Sequence, residues 1–327
     1  MKFGYYPGCS LEKNAIAYKQ STMAVIKPFE VELDEIDDWN CCGATEYIAI
    51  NLVGAYSLVA RNLALAAQQS ATWEKQNGKF QMVAPCSACY LNLGKAETYL
   101  EETPKLMEVV NVALAEGNMH YTPGSLQVRH LLDIVVNDIG YENIAAKVTK
   151  PLKGLRIAPY YGCLIVRPGF QAVFDDPEYP TSLDKLMKTL GATVVDFPLK
   201  ASCCGGHMTQ ISRTVALEMI YRLVRNAADY NADVIVTLCP MCQLNLDAYQ
   251  GDANKQFGTD LKIPVLYFTQ LMGLAFGIPP EQLGLGKEFV DARPALSKIG
   301  VDIPEEPPKK KRPSKEELPM PRMTQEG

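Results

Sequence analysis

Residues 86–93 read CSACYLNL, and residues 239–246 read CPMCQLNL. Upstream of each stretch lies a Cys-Cys-Gly triplet, at residues 41–43 and 203–205, and upstream of each triplet a Tyr-x-Gly-Cys sequence. The ten cysteines of the chain form two sets of five: Cys9, Cys41, Cys42, Cys86 and Cys89, then Cys163, Cys203, Cys204, Cys239 and Cys242. The two sets are offset by 153 to 162 residues, which indicates a duplicated domain and not a short-period solenoid.

The cysteine pattern predicts metal centres. Thiolates are soft ligands that suit iron–sulfur clusters, zinc and copper(I). Structural disulfides are the alternative, but adjacent cysteines such as Cys41 and Cys42 rarely satisfy disulfide geometry with each other. Two complete sets predict two centres, and two centres in one chain indicate electron transfer.

Composition excludes several classes of protein. The chain has 327 residues, of which 47% are hydrophobic and 21% charged, so it can build sizeable cores. A net charge of −5 argues against a nucleic-acid partner. Its amino terminus lacks an apolar signal core. The uncharged stretches 47–60 and 263–280 are too short or too interrupted for a spanning helix, so we expect a cytoplasmic protein with no membrane span.

Hydrophobic patterns predict alternating strands and helices. In the first half the predicted strands are residues 2–6, 29–33 and 80–84, and the predicted helices are 14–26, 47–75 and 88–101. In the second half the strands are 155–160, 193–197, 234–238 and 264–268, and the helices are 182–190, 208–228 and 242–249. Residues 126–139, between the halves, are predicted as a helix. This alternation indicates an α/β fold with mostly parallel sheets.

The predicted strands also locate the cysteines. Cys9, Cys86, Cys163 and Cys239 each closely follow a predicted strand, and ligands of open α/β sheets gather at the carboxyl ends of strands. Gly43 and Gly205 allow tight turns behind the vicinal pairs. We therefore expect the five thiols of each half to converge at one end of its sheet.

The whole pattern, Cys-x31-Cys-Cys-Gly-x42-Cys-x2-Cys followed by Cys-x39-Cys-Cys-Gly-x33-Cys-x2-Cys, resembles the doubled CCG domain found in the B subunits of heterodisulfide reductases. The resemblance covers roughly residues 1 to 280 and includes the bacterial sulfur-oxidising, heterodisulfide reductase-like branch of that family. It implies two noncubane 4Fe–4S clusters, each held by one set of five cysteines. It also implies a cavity between them in which a disulfide is cleaved, one sulfur passing to an iron of each cluster.

On this resemblance we predict a first CCG domain at residues 1–120, a helical connector at 121–153 and a second CCG domain at 154–285, the two domains being related by a pseudo-twofold axis. Residues 286–327 form a C-terminal extension that is rich in proline and charge from residue 304. Such a composition cannot bury a core, so we expect this tail to be disordered or docked on a partner protein.

The chain contains no C-x2-C-x2-C-x3-C-P run and no G-x-G-x-x-G fingerprint, so the sequence offers no recognisable cubane, flavin or nicotinamide site. Electrons must therefore be exchanged with partners. The resemblance implies a ferredoxin-like iron–sulfur subunit of the C type and a flavin subunit of the A type.

Two histidines are weighed as functional residues. His207 follows the second Cys-Cys-Gly-Gly and is a candidate catalytic proton donor or cluster-tuning group, with a loop histidine bonded to backbone as the alternative. His130 could approach the cavity, although a histidine on an apolar face is more often a satisfied core residue.

Three functions remain open from the sequence. The first is the catalytic subunit of a heterodisulfide reductase or a related complex, which reduces or forms a disulfide of the CoM-S-S-CoB, sulfur-carrier or lipoate type. The second is an electron-relay subunit that links a succinate-, glycolate- or lactate-type dehydrogenase to a quinone or membrane partner. The third is a structural zinc protein.

Overall fold

A computed structural model describes residues 1–44, 47–167, 169 and 174–303. The strands are β1 Lys2–Tyr5, β2 Glu32–Glu35, β3 Lys75–Gln76, β4 Lys79–Ala84, β5 Leu126–His130, β6 Arg156–Tyr160, β7 Thr193–Val194, β8 Val234–Thr237 and β9 Val265–Tyr267. The helices are α1 Ile16–Ile26, α2 Tyr47–Ile50, α3 Leu52–Gln69, α4 Ser87–Glu102, α5 Pro104–Ala115, α6 Leu131–Asp133, α7 Tyr141–Lys147, α8 Ser182–Thr189, α9 Met208–Ile211, α10 Arg213–Asp229, α11 Pro240–Ala248, α12 Gln250–Phe257, α13 Phe268–Ala275 and α14 Arg293–Leu296. A π-helical stretch, Ile134–Gly140, joins α6 to α7, and 3₁₀ turns lie at Lys27–Phe29, Ser70–Thr72, Pro280–Leu283 and Ser297–Ile299.

The strands form two sheets of the same design. In the first sheet β1 pairs in parallel with β2 and β4, β4 pairs in parallel with β5, and the short β3 runs antiparallel to β4. In the second sheet the order is β7-β6-β8-β9, and every pairing is parallel. The duplicated α/β architecture with parallel sheets is therefore confirmed.

The central strands are buried on both faces. Every residue of β8 and β9 is buried, and so are the last four residues of β4 and of β6. Parallel strands covered by helices read as continuous apolar runs instead of alternating patterns. This burial explains why the sequence predicted β4, β6, β8 and β9 with only small boundary differences.

The predicted helix over residues 126–139 is wrong in its first five residues. These form β5, which pairs with β4 from Phe80↔Leu126 to Ala84↔His130. A helix would leave that edge of β4 without hydrogen-bond partners in the interior, and the paired strand satisfies them. β5 occupies the place that β9 occupies in the second sheet, so it belongs to the first sheet although it lies inside the predicted connector. The domain boundaries themselves stay a prediction.

Two predicted long helices are each split near their start. The helix predicted over 47–75 breaks at Asn51, whose side chain accepts a hydrogen bond from the Gly54 amide (2.8 Å), and it ends at Gln69. The helix predicted over 208–228 breaks at Ser212. Both residues have an extended backbone, with φ of −148° and −146°, because an N-cap residue starts a new helix from a non-helical conformation.

A smaller difference concerns the strand predicted over residues 29–33. It lies at Glu32–Glu35, because Lys27–Phe29 is a 3₁₀ turn with Pro28 near its start.

The predicted tail from residue 304 lies outside the described residues. Within the described part, no helix is both long and apolar enough to cross a bilayer.

The two halves pack against each other through α1 and α13. Tyr18 of α1 stacks on Tyr267, with ring centroids 4.4 Å apart, and Ser21 shares a hydrogen bond of 2.6 Å with Thr269. All of these side chains are buried, so one continuous core runs through both sheets. This packing brings the cysteine-bearing ends of the two sheets together.

Candidate metal centres

The cysteines lie where the strands end. Cys9 follows β1, Cys86 follows β4 and Cys239 follows β8 by two residues or more, and the vicinal pairs lie in loops after β2 and β7. Six thiols are buried, and Cys9, Cys41 and Cys203 reach the surface. The cysteines of each set therefore lie at one end of their sheet, as expected.

Within the first set the sulfurs lie in pairs. The Sγ atoms of Cys9 and Cys41 are 3.5 Å apart, and those of Cys42 and Cys89 are 3.3 Å apart. The vicinal cysteines therefore point to different partners, one toward the first cysteine of the set and one toward the last.

The second set repeats this pairing in its electrostatics. The Cys203 thiol raises the pKa of Cys163, and the Cys204 thiol raises the pKa of Cys242. Equivalent positions thus make equivalent contacts in both halves, which is what a duplicated ligand arrangement requires.

The last two cysteines of each set lie at the start of a helix. Cys86 and Cys239 are the N-cap residues of α4 and α11, and Cys89 and Cys242 lie in the first turns. The positive end of a helix dipole stabilises negative charge. Bonds with neighbouring thiols and burial nevertheless raise the pKa of Cys86, Cys89 and Cys242, and only the pKa of Cys239 is lowered.

Hydrogen bonds from elsewhere hold the vicinal pairs in place. The Tyr6 hydroxyl donates to the Asn40 carbonyl and the Tyr160 hydroxyl to the Ser202 carbonyl, both at 2.7 Å, immediately before each Cys-Cys pair. These buried tyrosines belong to the core, as their position at strand ends indicated. They also serve as supports of the two loops.

Two asparagines act in the same way from the other side. The Asn92 amide donates to the Cys42 carbonyl (3.1 Å), and the Asn245 amide donates to the carbonyl groups of Cys204 (3.4 Å) and Gly206 (2.8 Å). Sequence reasoning did not single them out. The signal was present in the Leu-Asn-Leu that follows both Cys-x-x-Cys motifs.

Glycines leave the space that the sulfurs need. Gly8 and Gly162 have φ of +74° and +70°, and a Cβ added to them would lie 2.9 Å from Cys89 Sγ and 3.1 Å from Cys242 Sγ. Any side chain at either position would push against a sulfur. With five soft donors in each half, the residues present fit an iron–sulfur group.

The paired thiols differ in acidity. The hydrogen bond from Cys163, followed by the Gly205 amide, lowers the pKa of Cys203 to about 6. The pKa of Cys41 is likewise lowered, by hydrogen bonds from Cys42 and Cys9. Metal ligands must be deprotonated, so each half already favours one thiolate near neutral pH.

A cavity of about 220 Å³ lies beside the second set. Its walls contain the five thiols of that set, apolar side chains and one residue of the first half, Ser87. The apolar lining is Leu164, Met208, Ile211 and Met241. His207 lies in the same wall, so the structure places the candidate histidine next to the second set of cysteines.

The two sets meet at one point. Cys86 of the first half and Cys239 of the second are both buried, and their thiols lie close enough that each shifts the pKa of the other. Any groups bound by the two sets would therefore be near neighbours. Among residues 1–44, 47–167, 169 and 174–303, no three His, Cys, Asp or Glu side chains are arranged as ligands of one metal ion.

His130 lies in the core at the end of β5, beneath this meeting point. Its Nδ1 accepts a hydrogen bond from the Leu132 amide (3.1 Å), and burial lowers its pKa to about 4. The residue is fully buried and does not line the cavity. The satisfied core histidine is thus the interpretation that the geometry favours.

Comparison with known proteins agrees with this architecture. The chain is 37% identical over 291 residues to the 8-methylmenaquinol:fumarate reductase membrane anchor subunit of Wolinella succinogenes, covering 89% of this chain and 98% of that protein. It is 29% identical over 301 residues to the B subunit of the ferredoxin/F420H2-dependent CoB–CoM heterodisulfide reductase of Methanosarcina acetivorans, covering 91% and 97%.

A solved structure supports the fold. The crystal structure of a hypothetical protein from Helicobacter pylori matches 89% of this chain with a TM-score of 0.70 at 15% identity. At 15% identity the likeness concerns the fold alone, and the match spans 52% of that protein's own length. The model of the cysteine-rich domain family CCG matches residues 3–94 and 157–247, which are the two halves described above. The chain belongs to the CCG cysteine-rich domain family, carries the domain twice, and has relatives that are subunits of multi-subunit reductases.

Proposed function

We propose that this chain is the iron–sulfur subunit of a heterodisulfide reductase-like complex, in which a disulfide is reduced or formed beside two adjacent 4Fe–4S clusters. One observation carries the proposal. Two complete sets of five cysteines meet at the Cys86–Cys239 contact, next to a cavity lined by thiols. A structural zinc site is closed and four-coordinate, so it needs neither a fifth cysteine nor an adjacent cavity.

The resemblance and the repeated pairing of the sulfurs support one set of ligands in each half. One noncubane cluster would be held by Cys9, Cys41, Cys42, Cys86 and Cys89, and the other by Cys163, Cys203, Cys204, Cys239 and Cys242. A cubane needs only four thiolates, so a fifth cysteine in each set favours a noncubane arrangement. When bound, such groups supply electrons one at a time.

The chain's own residues would bind and orient the substrate. Reduction of R–S–S–R′ consumes two electrons and two protons and yields RSH and R′SH, so a two-electron reaction matches two one-electron centres. Met208 and Ile211 form an apolar wall that suits a thioether or alkyl thiol. His207, in the same wall, is positioned to donate a proton to a departing thiolate.

Electrons would enter from other proteins of the complex. The described residues contain no nucleotide-binding glycine motif. A ferredoxin-like iron–sulfur partner and a flavin-binding partner would therefore exchange electrons with this chain. This exchange would take place in the cytoplasm. The relatives, which are named as parts of reductases, support an assembly of several subunits. The charged tail from residue 304 is a candidate for contact with one of these partners.

Metal analysis of the anaerobically purified chain is the first test. We expect about eight iron atoms and matching sulfide per chain, since each of two clusters holds four. Cys203→Ser should lower iron to about half and abolish viologen-linked reduction of disulfides such as CoM-S-S-CoB and lipoamide. Ser202→Ala, one residue away, is the matched control and should keep both. Zinc without iron would refute the proposal and support the structural alternative.

A second candidate function is electron relay to a quinone. It is favoured by the relative at 37% identity, which is named as the membrane anchor subunit of a methylmenaquinol:fumarate reductase. The two functions separate in one assay with reduced protein. Oxidation by a menaquinone analogue without turnover of any disulfide would favour relay, and the reverse would favour disulfide chemistry.

A further inference from the structure

The contact between Cys86 and Cys239 is held by a tyrosine that reaches both halves. The Tyr18 hydroxyl lies 3.2 Å from the Pro85 carbonyl and 3.2 Å from the Leu238 carbonyl, and these two residues immediately precede the two cysteines. Tyr18 is fully buried, so neither carbonyl has water as an alternative partner. One hydroxyl offers one proton, which the two carbonyls share at equal distances.

His130 lies beside the same junction. Its Nδ1 accepts from the Leu132 amide (3.1 Å), and its Nε2 lies 3.5 Å from the hydroxyl of Ser87, the residue that follows Cys86. The ring is fully buried. It therefore contacts the start of α4 next to Cys86, whereas Tyr18 bridges the two halves.

Aromatic packing fixes the position of the tyrosine itself. Its ring lies parallel to that of Tyr267, with an interplanar angle of 2° and a centroid distance of 4.4 Å, and edge-on to Phe268. Tyr267 and His130 occupy matching places at the ends of β9 and β5. The arrangement therefore joins α1 of the first half to the sheet end of the second.

We propose that Tyr18 and His130 are positioning residues that fix the separation of Cys86 and Cys239. Where the clusters of the proposed function are bound, they thereby set the coupling between the two centres. The ligands and the cavity of each half do not require this junction. Its role is to hold the two centres at one distance.

The separation can be measured without any cluster. The full chain is stripped of iron with a chelator and oxidised with diamide, and the Cys86–Cys239 disulfide is quantified by mass spectrometry relative to Cys9–Cys41. The Cys9–Cys41 pair, with sulfurs 3.5 Å apart and no contact with Tyr18, serves as the internal reference. In Tyr18→Phe we expect the ratio to fall about fivefold, the factor that corresponds to one lost hydrogen bond of about 1 kcal/mol.

Two further variants guard against a general loss of structure. Tyr121→Phe removes another buried tyrosine hydroxyl, one that bonds Glu97 far from the junction, and it should leave the ratio unchanged. His130→Leu should lower the ratio in the same direction as Tyr18→Phe. An unchanged ratio in a folded Tyr18→Phe protein would overturn the inference.

Spectroscopy of the iron-loaded chain provides the second readout. Tyr18→Phe should keep the wild-type iron content but weaken the magnetic interaction between the two reduced centres in EPR spectra. An interaction identical to wild type would count against a positioning role. If the wild-type chain holds no iron, the proposed function fails, while the disulfide ratio still decides the inference.

Discussion

Gly162→Ala provides the sharpest test of how the second set of cysteines is built. Gly162 has φ of +70°, where an alanine costs about 1–2 kcal/mol because its Cβ crowds the backbone. The new Cβ would also lie 3.1 Å from Cys242 Sγ. Ordinary contacts lie at about 3.5–4.0 Å, so the sulfur must move by roughly 0.5 Å.

The backbone cost and the contact with sulfur can be separated. Gly258 has φ of +66° and no atom within 4 Å of an added Cβ, so Gly258→Ala introduces the same strain in open space. Both variants should lose about 1–2 kcal/mol of unfolding free energy in urea titrations. Only Gly162→Ala should lose iron, from about eight to about four atoms per chain, because metal ligands must be held within about 0.5 Å of their productive positions.

The assay is iron and sulfide analysis after anaerobic reconstitution, with urea unfolding of each variant in parallel. Full iron content in Gly162→Ala would refute the reasoning that the glycine makes room for a cluster-binding sulfur. Equal iron loss in Gly258→Ala would attribute the effect to general instability instead.

Three further outcomes follow from the same contacts. Asn245→Ala should cost about 1–3 kcal/mol, because it leaves the buried Cys204 carbonyl and the half-buried Gly206 carbonyl unpaired, and should speed iron loss on dilution. Arg129→Met should cost about 3–5 kcal/mol in urea unfolding, since it strands the buried carboxylate of Asp133 and the half-buried carboxylate of Asp138. Burial raises the pKa of Asp247 to about 6, so the folded chain retains a proton that the unfolded chain releases near pH 4. Relative to Asp247→Asn, the wild type should therefore lose about 3 kcal/mol of stability as pH rises from about 4 to about 6, measured by urea titration at each pH.

Each of these has a contrary result. Asn254→Ala also removes hydrogen bonds to backbone groups in the second half. If Asn254→Ala loses iron as fast as Asn245→Ala, the iron loss does not come from the contacts of Asn245 with the cysteine loop. A loss below about 1 kcal/mol in Arg129→Met would mean that water reaches the two carboxylates. If the unfolding free energies of Asp247→Asn and of the wild type change in parallel with pH, the raised pKa of the Asp247 carboxyl would be contradicted.

The strands, and the strand ends at which the cysteines lie, were predictable because their signals are local. Residues 234–238 form an apolar run that ends at a cysteine, and the duplicated pattern repeats it at residues 80–84. β5 was missed because residues 126–139 carry apolar side chains at spacings that a helix also accepts. The strand predicted at residues 264–268 was the available signal, since a duplicated sheet requires a counterpart in the first half.

The supports of the site were only partly accessible. Asn92 and Asn245 repeat in the sequence, but a repeated asparagine does not reveal which backbone groups it bonds. Tyr18 has no signal at all, since its hydroxyl bonds to Leu238, which lies 220 positions away in the chain. Such a contact depends on how α1 packs against α13.

The sequence alone determined the two sets of five thiols, the duplication and the α/β class, because each rests on residue identity and on spacing along the chain. The pairing of the sulfurs, the cavity beside the second set and the meeting of Cys86 with Cys239 were decided only by the tertiary structure. The physical reason is that two sheets built to one pattern can be packed in many ways. Burial of α1 against α13, with the Tyr18–Tyr267 stacking and the Ser21–Thr269 hydrogen bond, selects the packing in which the cysteine-bearing ends of the sheets meet.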